Sequence, residues 1–91
     1  MTINKVFSKD PDSKLDYEIN WVLWLDGDTI SESSWEVPSG LTGSDESNTT
    51  NSATIFISGG SVGKTYDVVN SIVTTIGREV DRTIKIKIEE R

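Results

Sequence analysis

The stretch that decides the fold runs from Gly63 to Glu90, GKTYDVVNSIVTTIGREVDRTIKIKIEE. It reads as a β-hairpin. Val68, Val69, Ile72 and Val73 in the first arm are β-branched and suit a pleated strand. The second arm alternates. Val80, Ile84, Ile86 and Ile88 fall on one face, with Arg82 the single polar residue among them, while Asp81, Thr83, Lys85, Lys87 and Glu89 fall on the other. Between the arms, Thr75-Ile76-Gly77-Arg78 carries a glycine able to take positive φ, as a tight connection requires. One face of this hairpin is an apolar wall that needs a second sheet to cover it.

Working back along the chain, Leu15 to Leu25 reads as one strand. Leu15, Tyr17, Ile19, Trp21, Leu23 and Leu25 share a face. Asp16, Glu18 and Asn20 share the other, until Val22 and Trp24 make that side apolar too. Asp26-Gly27-Asp28 breaks the pattern. Thr29 to Val37 reads as a second strand. Its phase changes between Ile30 and Trp35, which predicts a bulge near Ser33-Ser34, and Pro38 ends it. Ser39 to Asn51 reads as a polar loop anchored by Leu41. Ser52 to Ser58 reads as a third strand with Ala53, Ile55 and Ile57 inward, followed by a Gly59-Gly60 turn. Residues 1–14 form a polar leader with Val6-Phe7 as an edge strand or partner contact, then a turn at residues 9–14 where Pro11 fixes φ.

Five or six short strands spaced by turn signals, with no helical period, predict an all-β immunoglobulin-like antiparallel β-sandwich over residues 15–91. An open barrel and a jelly-roll fragment are the alternative folds. Tyr66, early in the penultimate strand, stands where a tyrosine corner would sit. The expected shared core contains Ile19, Trp21, Leu23, Ile55, Ile57, Tyr66, Ile84 and Ile86.

Composition narrows the function. The chain has 91 residues, one domain's worth, with neither cysteine nor histidine. A disulfide framework and cysteine-based metal sites are therefore excluded, and the commonest metal ligand and neutral-pH base is missing. The expectation is a non-enzyme without cofactor. A net charge of −6 and a pI of about 4.4 argue against nucleic acid, which requires a basic surface. No segment has the apolar length of a membrane span. The start lacks an apolar h-region, so no signal peptide is expected and synthesis is assigned to a cytoplasm.

Two local motifs mimic chemistry. Ser58-Gly59-Gly60-Ser61-Val62-Gly63-Lys64-Thr65 approximates a phosphate-binding loop, but its first position is serine and a strand follows in place of the required helix. The reading is a glycine-rich turn. Asp26-Gly27-Asp28, with Asp10 or Asp12, offers carboxylates for Ca²⁺, yet its spacing is not that of an EF-hand, and acidic surface turns are common. The three tryptophans are the unusual feature. Trp21 is assigned to the core by phase, and Trp35 to the position of an inter-sheet tryptophan. Trp24 is out of phase and is either core or interface. With Val22 and Phe7, it makes the candidate partner contact.

Lys9-Asp10-Pro11, Leu15-Asp16-Tyr17, Asn20-Trp21, Leu25-Asp26-Gly27-Asp28-Thr29-Ile30, Ser33-Ser34-Trp35, Gly40-Leu41, Ser58-Gly59-Gly60, Gly63, Tyr66, Thr74-Thr75 and Gly77-Arg78 occur in that order. Together they resemble the small structural proteins of tailed bacteriophages and prophages known as fiber–tail adaptor or immunoglobulin-like virion proteins. The resemblance covers residues 9 to 88. It implies a non-enzymatic virion component, assembled in a bacterial host's cytoplasm, that joins tail and tail fiber by protein–protein contacts. Its implied partners are other tail and fiber proteins, in a symmetric multi-copy assembly, without nucleic acid or membrane. It carries over no catalytic residue. The competing functions are a carbohydrate- or receptor-binding module, since exposed tryptophan stacks on sugars, and a capsid decoration protein.

Overall fold

The computed structural model describes residues 5–90. Among them are seven strands and one helical turn: β1 Lys5–Lys9, β2 Lys14–Asn20, α1 Val22–Leu25, β3 Ile30–Glu36, β4 Leu41–Asn48, β5 Ser52–Gly59, β6 Thr65–Thr74 and β7 Glu79–Ile88. They form two sheets, ordered β1-β7-β6-β3 and β2-β5-β4. Every pairing is antiparallel except β1 with β7, which is parallel. This is the immunoglobulin-like sandwich expected.

The Gly63–Glu90 hairpin lies at the centre of the four-stranded sheet. Its β6–β7 ladder runs in unbroken register from Thr65↔Lys87 to Val73↔Glu79. Ile84, Ile86 and Ile88 are buried, and Val80 packs beside them. Facing them across the sandwich are Tyr17 and Ile19 of β2 and Ile55 and Ile57 of β5, inward because side chains alternate along each strand. Tyr66 makes the expected corner: its hydroxyl accepts the Ser61 N–H at 3.1 Å. Gly60 has φ +103°, and a methyl there would come within 2.5 Å of the Ile88 side chain. The glycine-rich motif is thus a turn between β5 and β6, closing tightly over the core, with a strand after it.

Four expectations are corrected. Leu15–Leu25 is not one strand. β2 stops at Asn20, and Val22–Leu25 closes one helical turn, with the Leu25 N–H donating to Trp21 O at 2.9 Å. Asn20 Oδ1 accepts the Val22 N–H at 2.9 Å and starts the turn, and Asp26 in the left-handed region ends it. Four consecutive apolar residues have no phase, so local capping decides. Leu23 consequently leaves the core and is 93% exposed. The bulge in β3 falls between Ile30 and Glu32, earlier than Ser33-Ser34. Residues 39–51 are not a loop, since β4 occupies Leu41–Asn48. Only Leu41 of β4 is buried, so the strand is held by its backbone ladder to β5 and carries no apolar alternation to read. Trp21, not Trp35, spans the sheets with a satisfied indole. Its N–H donates to Asn70 Oδ1 at 2.9 Å, while the Trp35 Nε1 is buried without a hydrogen-bond partner among the described residues.

Two buried polar groups are ordered by this packing. Asn70 is fully buried on β6 and spends its amide on Ser33 Oγ at 3.0 Å and Ser34 O at 2.9 Å of β3. Lys9 is also fully buried, donating from Nζ to Asp10 O and Gly59 O, both at 2.8 Å, so it pins the β1–β2 turn to the end of β5. Burial lowers its pKa, and Asp10 and Asp12 oppose that shift.

Two substitutions separate satisfied from unsatisfied burial. Asn70→Ala strands the Trp21 indole N–H and should destabilise by about 1–3 kcal/mol. Tyr17→Phe removes a buried hydroxyl that has no partner among the described residues, and should leave stability unchanged or raise it. Chemical denaturation of both variants checks this contrast.

Candidate partner interface

One end of the sandwich is built from α1, the Asp26–Thr29 turn, the Thr49–Asn51 turn and the hairpin turn Thr75–Arg78. Its skeleton is a pair of indoles with a guanidinium at each end. The Arg82 guanidinium lies 4.1 Å from the Trp21 ring centroid. Trp21 meets Trp24 edge-to-face at 5.7 Å. The Arg78 guanidinium lies 4.5 Å from the Trp24 centroid. Guanidinium–indole pairs of this kind contribute on the order of 0.5–2 kcal/mol each, more when desolvated.

Arg78 does more than stack. Its Nη2 donates to Leu25 O at 2.8 Å, the carbonyl at the C-terminal end of α1 that also accepts the Asp28 N–H, and to Asp28 Oδ2 at 3.1 Å. Nε reaches the same carboxylate oxygen at 3.3 Å. The tip of the β6–β7 hairpin is thereby latched to the turn that follows α1. The Thr75 N–H donates to Thr29 O at 2.9 Å, and the two threonine hydroxyls bond each other. The Asp28 side chain is only 5% exposed. Burial pushes its pKa up, but hydrogen bonds from Thr74, the Thr29 N–H and Arg78, with the Arg78 charge, outweigh this and hold it below the ordinary 3.8.

On this scaffold sit the exposed apolar side chains. Trp21 and Leu25, four residues apart on α1's inner side, are buried. Val22 and Leu23 then point outward, 46% and 93% exposed, and Ile76 at the hairpin tip is 74% exposed. Between the two turns lies an open depression of about 570 Å³, floored by Leu25 and Asp28 and walled by Ile76 and Arg78. A second, of about 210 Å³, continues past Gly27 to Val22, Thr50 and Asn51.

Of the residues singled out in the sequence, Val22 and Trp24 come together here. Trp24 is half-buried and packs against the core, so it has both a core and a surface side. Phe7 lies elsewhere. It pairs with Ile86 on β7, eight residues beyond Arg78 and so roughly 25 Å away at strand rise, with its ring edge-on to Tyr17 at 5.0 Å. Leu23 and Ile76 were missed as surface residues. Ile76 beside Gly77 in a tight turn was the legible signal. Leu23 needed the helical turn. Among the described residues, those of Asp26-Gly27-Asp28 included, no three or more acidic side chains cluster so as to hold a metal ion.

The Asp28 latch gives a pH dependence with a definite sign. A carboxylate whose folded pKa lies below its unfolded value of about 3.8 adds stability above that value and loses it as pH falls through the folded pKa. Wild-type stability should therefore drop below about pH 4 more steeply than that of Asp28→Asn, as followed by thermal melting across an acid series.

Comparisons with known proteins fit this architecture. No curated protein sequence matches the chain. The PKD domain from KIAA 1837 protein, a solution structure, superposes with a TM-score of 0.65 at 18% identity, covering 97% of this chain and 81% of that one. At that identity the likeness establishes the fold alone, an immunoglobulin-like β-sandwich. The family described as Podophage GP4 fiber-tail adaptor protein gp77 matches residues 9–87. With most of its length inside that match, the chain belongs to the phage fiber–tail adaptor family.

Proposed function

We propose that this chain is a non-enzymatic structural component of a tailed-phage virion, joining tail and tail fiber through protein–protein contacts made by its α1 end. The observation that carries the reading is Leu23. A leucine 93% exposed on a turn whose neighbours are locked by Arg78, Trp21 and Trp24 has no role in the isolated fold. Beside Val22 and Ile76 it makes an apolar patch of the kind that marks contact sites on soluble proteins. Asp26 and Arg78 around the depressions supply a polar rim. Trp24 supports the patch from beneath. Phe7 belongs to the opposite part of the molecule and would serve a separate contact along β1. On this reading the chain acts in several copies of a symmetric assembly, and its net charge of −6 suits contacts with protein rather than with nucleic acid or membrane.

The sugar-binding reading is weaker on geometry. A stacking platform needs an open indole face. Trp21 is buried, and Trp24 and Trp35 are half-buried. The Trp24 ring is already occupied by Arg78 on one face.

Leu23→Asp tests the proposal. The substituted side chain is solvated, so the isolated domain's stability should stay within about 0.5 kcal/mol. Incorporation into purified particles, quantified by mass spectrometry, should fall sharply. Trp24→Ala should also weaken incorporation by about 2 kcal/mol or more, but it loosens the Trp21 stack as well. Normal incorporation of Leu23→Asp would overturn the assignment of this surface.

A further inference from the structure

The sandwich has four outer strands, and they are not equally protected. β3 is interrupted by a register shift between Ile30 and Glu32. β4 is interrupted between Ser44 and Ser47, where Asp45 takes φ +52°. Bulges of this kind twist an edge out of reach of another strand. β1 is paired for five residues only. β2 pairs with β5 from Lys14↔Ser58 to Asn20↔Ser52 without any shift. It is an unbulged outer edge of 7 residues.

The ladder shows which groups of β2 face outward. The Trp21 N–H donates to Asn51 O at 2.8 Å, continuing the β2–β5 register by one residue. Bonded and non-bonded pairs alternate in an antiparallel ladder. Tyr17 and Ile19 therefore share the phase of Trp21 and bond β5, while Asp16 and Glu18 direct their N–H and C=O groups away from it. Asn20 has that same outward phase, and its carbonyl is met by Arg82 Nη1 at 3.4 Å. Among the described residues the edge is thus closed at Asn20 and open at Lys14, Asp16 and Glu18. Of these outward residues, Asp16 and Glu18 are also acidic, exposed and without an ion pair among the described residues, while Lys14 at the start of the strand is paired with Asp45. Between them and the core, Leu15 has the inward phase of Tyr17 yet stays 41% exposed at the sandwich flank.

We infer that the open edge of β2 at Asp16 and Glu18 is a strand-addition site, and that its occupant is an extended segment of another protein alternating apolar and basic side chains. An extended backbone is what unpaired edge groups complement. On the added strand, residues opposite Asp16 and Glu18 share their outer face, where lysine or arginine pairs with both carboxylates. The intervening residues turn inward, where apolar side chains cover Leu15. A second copy of β2 is a poor occupant. Antiparallel self-pairing centred on Tyr17 sets Asp16 against Glu18 at both ends, and like charges directly opposite destabilise a strand pair; the register centred on Leu15 matches Asp16 with Lys14 but leaves Glu18 beyond the paired strand. The site is separate from the α1 end.

The test uses a synthetic peptide of β2's length alternating lysine and valine, titrated into the isotope-labelled full chain and followed by NMR. The expected result is shifted amide signals and slowed hydrogen exchange at Asp16 and Glu18. Glu18→Pro removes an outward N–H without touching the β5 ladder, and should abolish binding with the melting curve retained. The double variant Asp16→Lys with Glu18→Lys keeps the backbone, and should weaken the peptide by about tenfold or more and favour a glutamate–valine peptide instead. It decides the matter if the proline variant fails to fold. Leu23→Asp should bind the peptide normally, so failure at one surface is distinguishable from failure at the other. No binding, shifts confined to β3 or β4, or unchanged affinity in the charge-reversed variant would overturn the site. Self-association of the free chain through β2, seen by sedimentation and lost in Glu18→Pro, would overturn the choice of occupant.

Discussion

The hydrogen bond from the Trp21 indole to buried Asn70 is the constraint on which the rest of the structure depends. Trp21 follows β2 directly, in the three-stranded sheet, and Asn70 sits mid-strand on β6, in the other. A polar pair sealed between two sheets has one acceptable geometry, because an unmade bond there costs about 1–3 kcal/mol. Asn70 also fixes β3 through Ser33 and Ser34. One amide therefore sets the position of β2 relative to β6 and the lateral position of β3. Apolar packing of isoleucine on isoleucine would tolerate small slides. This bond does not.

The end proposed for partner contact is a consequence of that placement. With Trp21 held, its outer face is available to Arg82 and its edge to Trp24, and Trp24 in turn seats Arg78. Arg78 then ties the hairpin tip to Leu25 and Asp28. Each of these groups is partly screened and individually modest. Together they make α1, a single turn that would not persist alone, a rigid mount for Val22 and Leu23. A preorganised apolar surface loses less entropy on docking than a loop that must order first.

Much of the fold was legible because its strands with one buried face alternate strictly. β7, β5 and β2 from Asp16 to Asn20 could be read residue by residue, and Tyr66 marked its own corner. What could not be read had physical causes. Val22–Leu25 is apolar all round, so its phase carried no information, and the capping groups Asn20 and Asp26-Gly27 held the answer instead. β4 is built of serine, threonine, aspartate and asparagine, and backbone pairing to β5 outweighs its poor strand propensity. The candidate site was half legible. Val22 and Trp24 were named for being out of phase, which is what a helical turn grafted onto a strand looks like. Phe7 was grouped with them although only topology could show that it lies far along β7. Asn70, an amide inside the apolar run Val68–Val73, was the signal left unread.

The central claim is that the Trp21–Arg78 scaffold presents the α1 end for contact inside an assembled phage tail. Hydrogen–deuterium exchange, compared between the isolated chain and the chain within purified tails, tests it most directly. The account predicts that assembly slows exchange at residues 22–28 and 75–78, over and above any change elsewhere. Unchanged exchange at those residues, with protection confined to other parts of the chain, would contradict it.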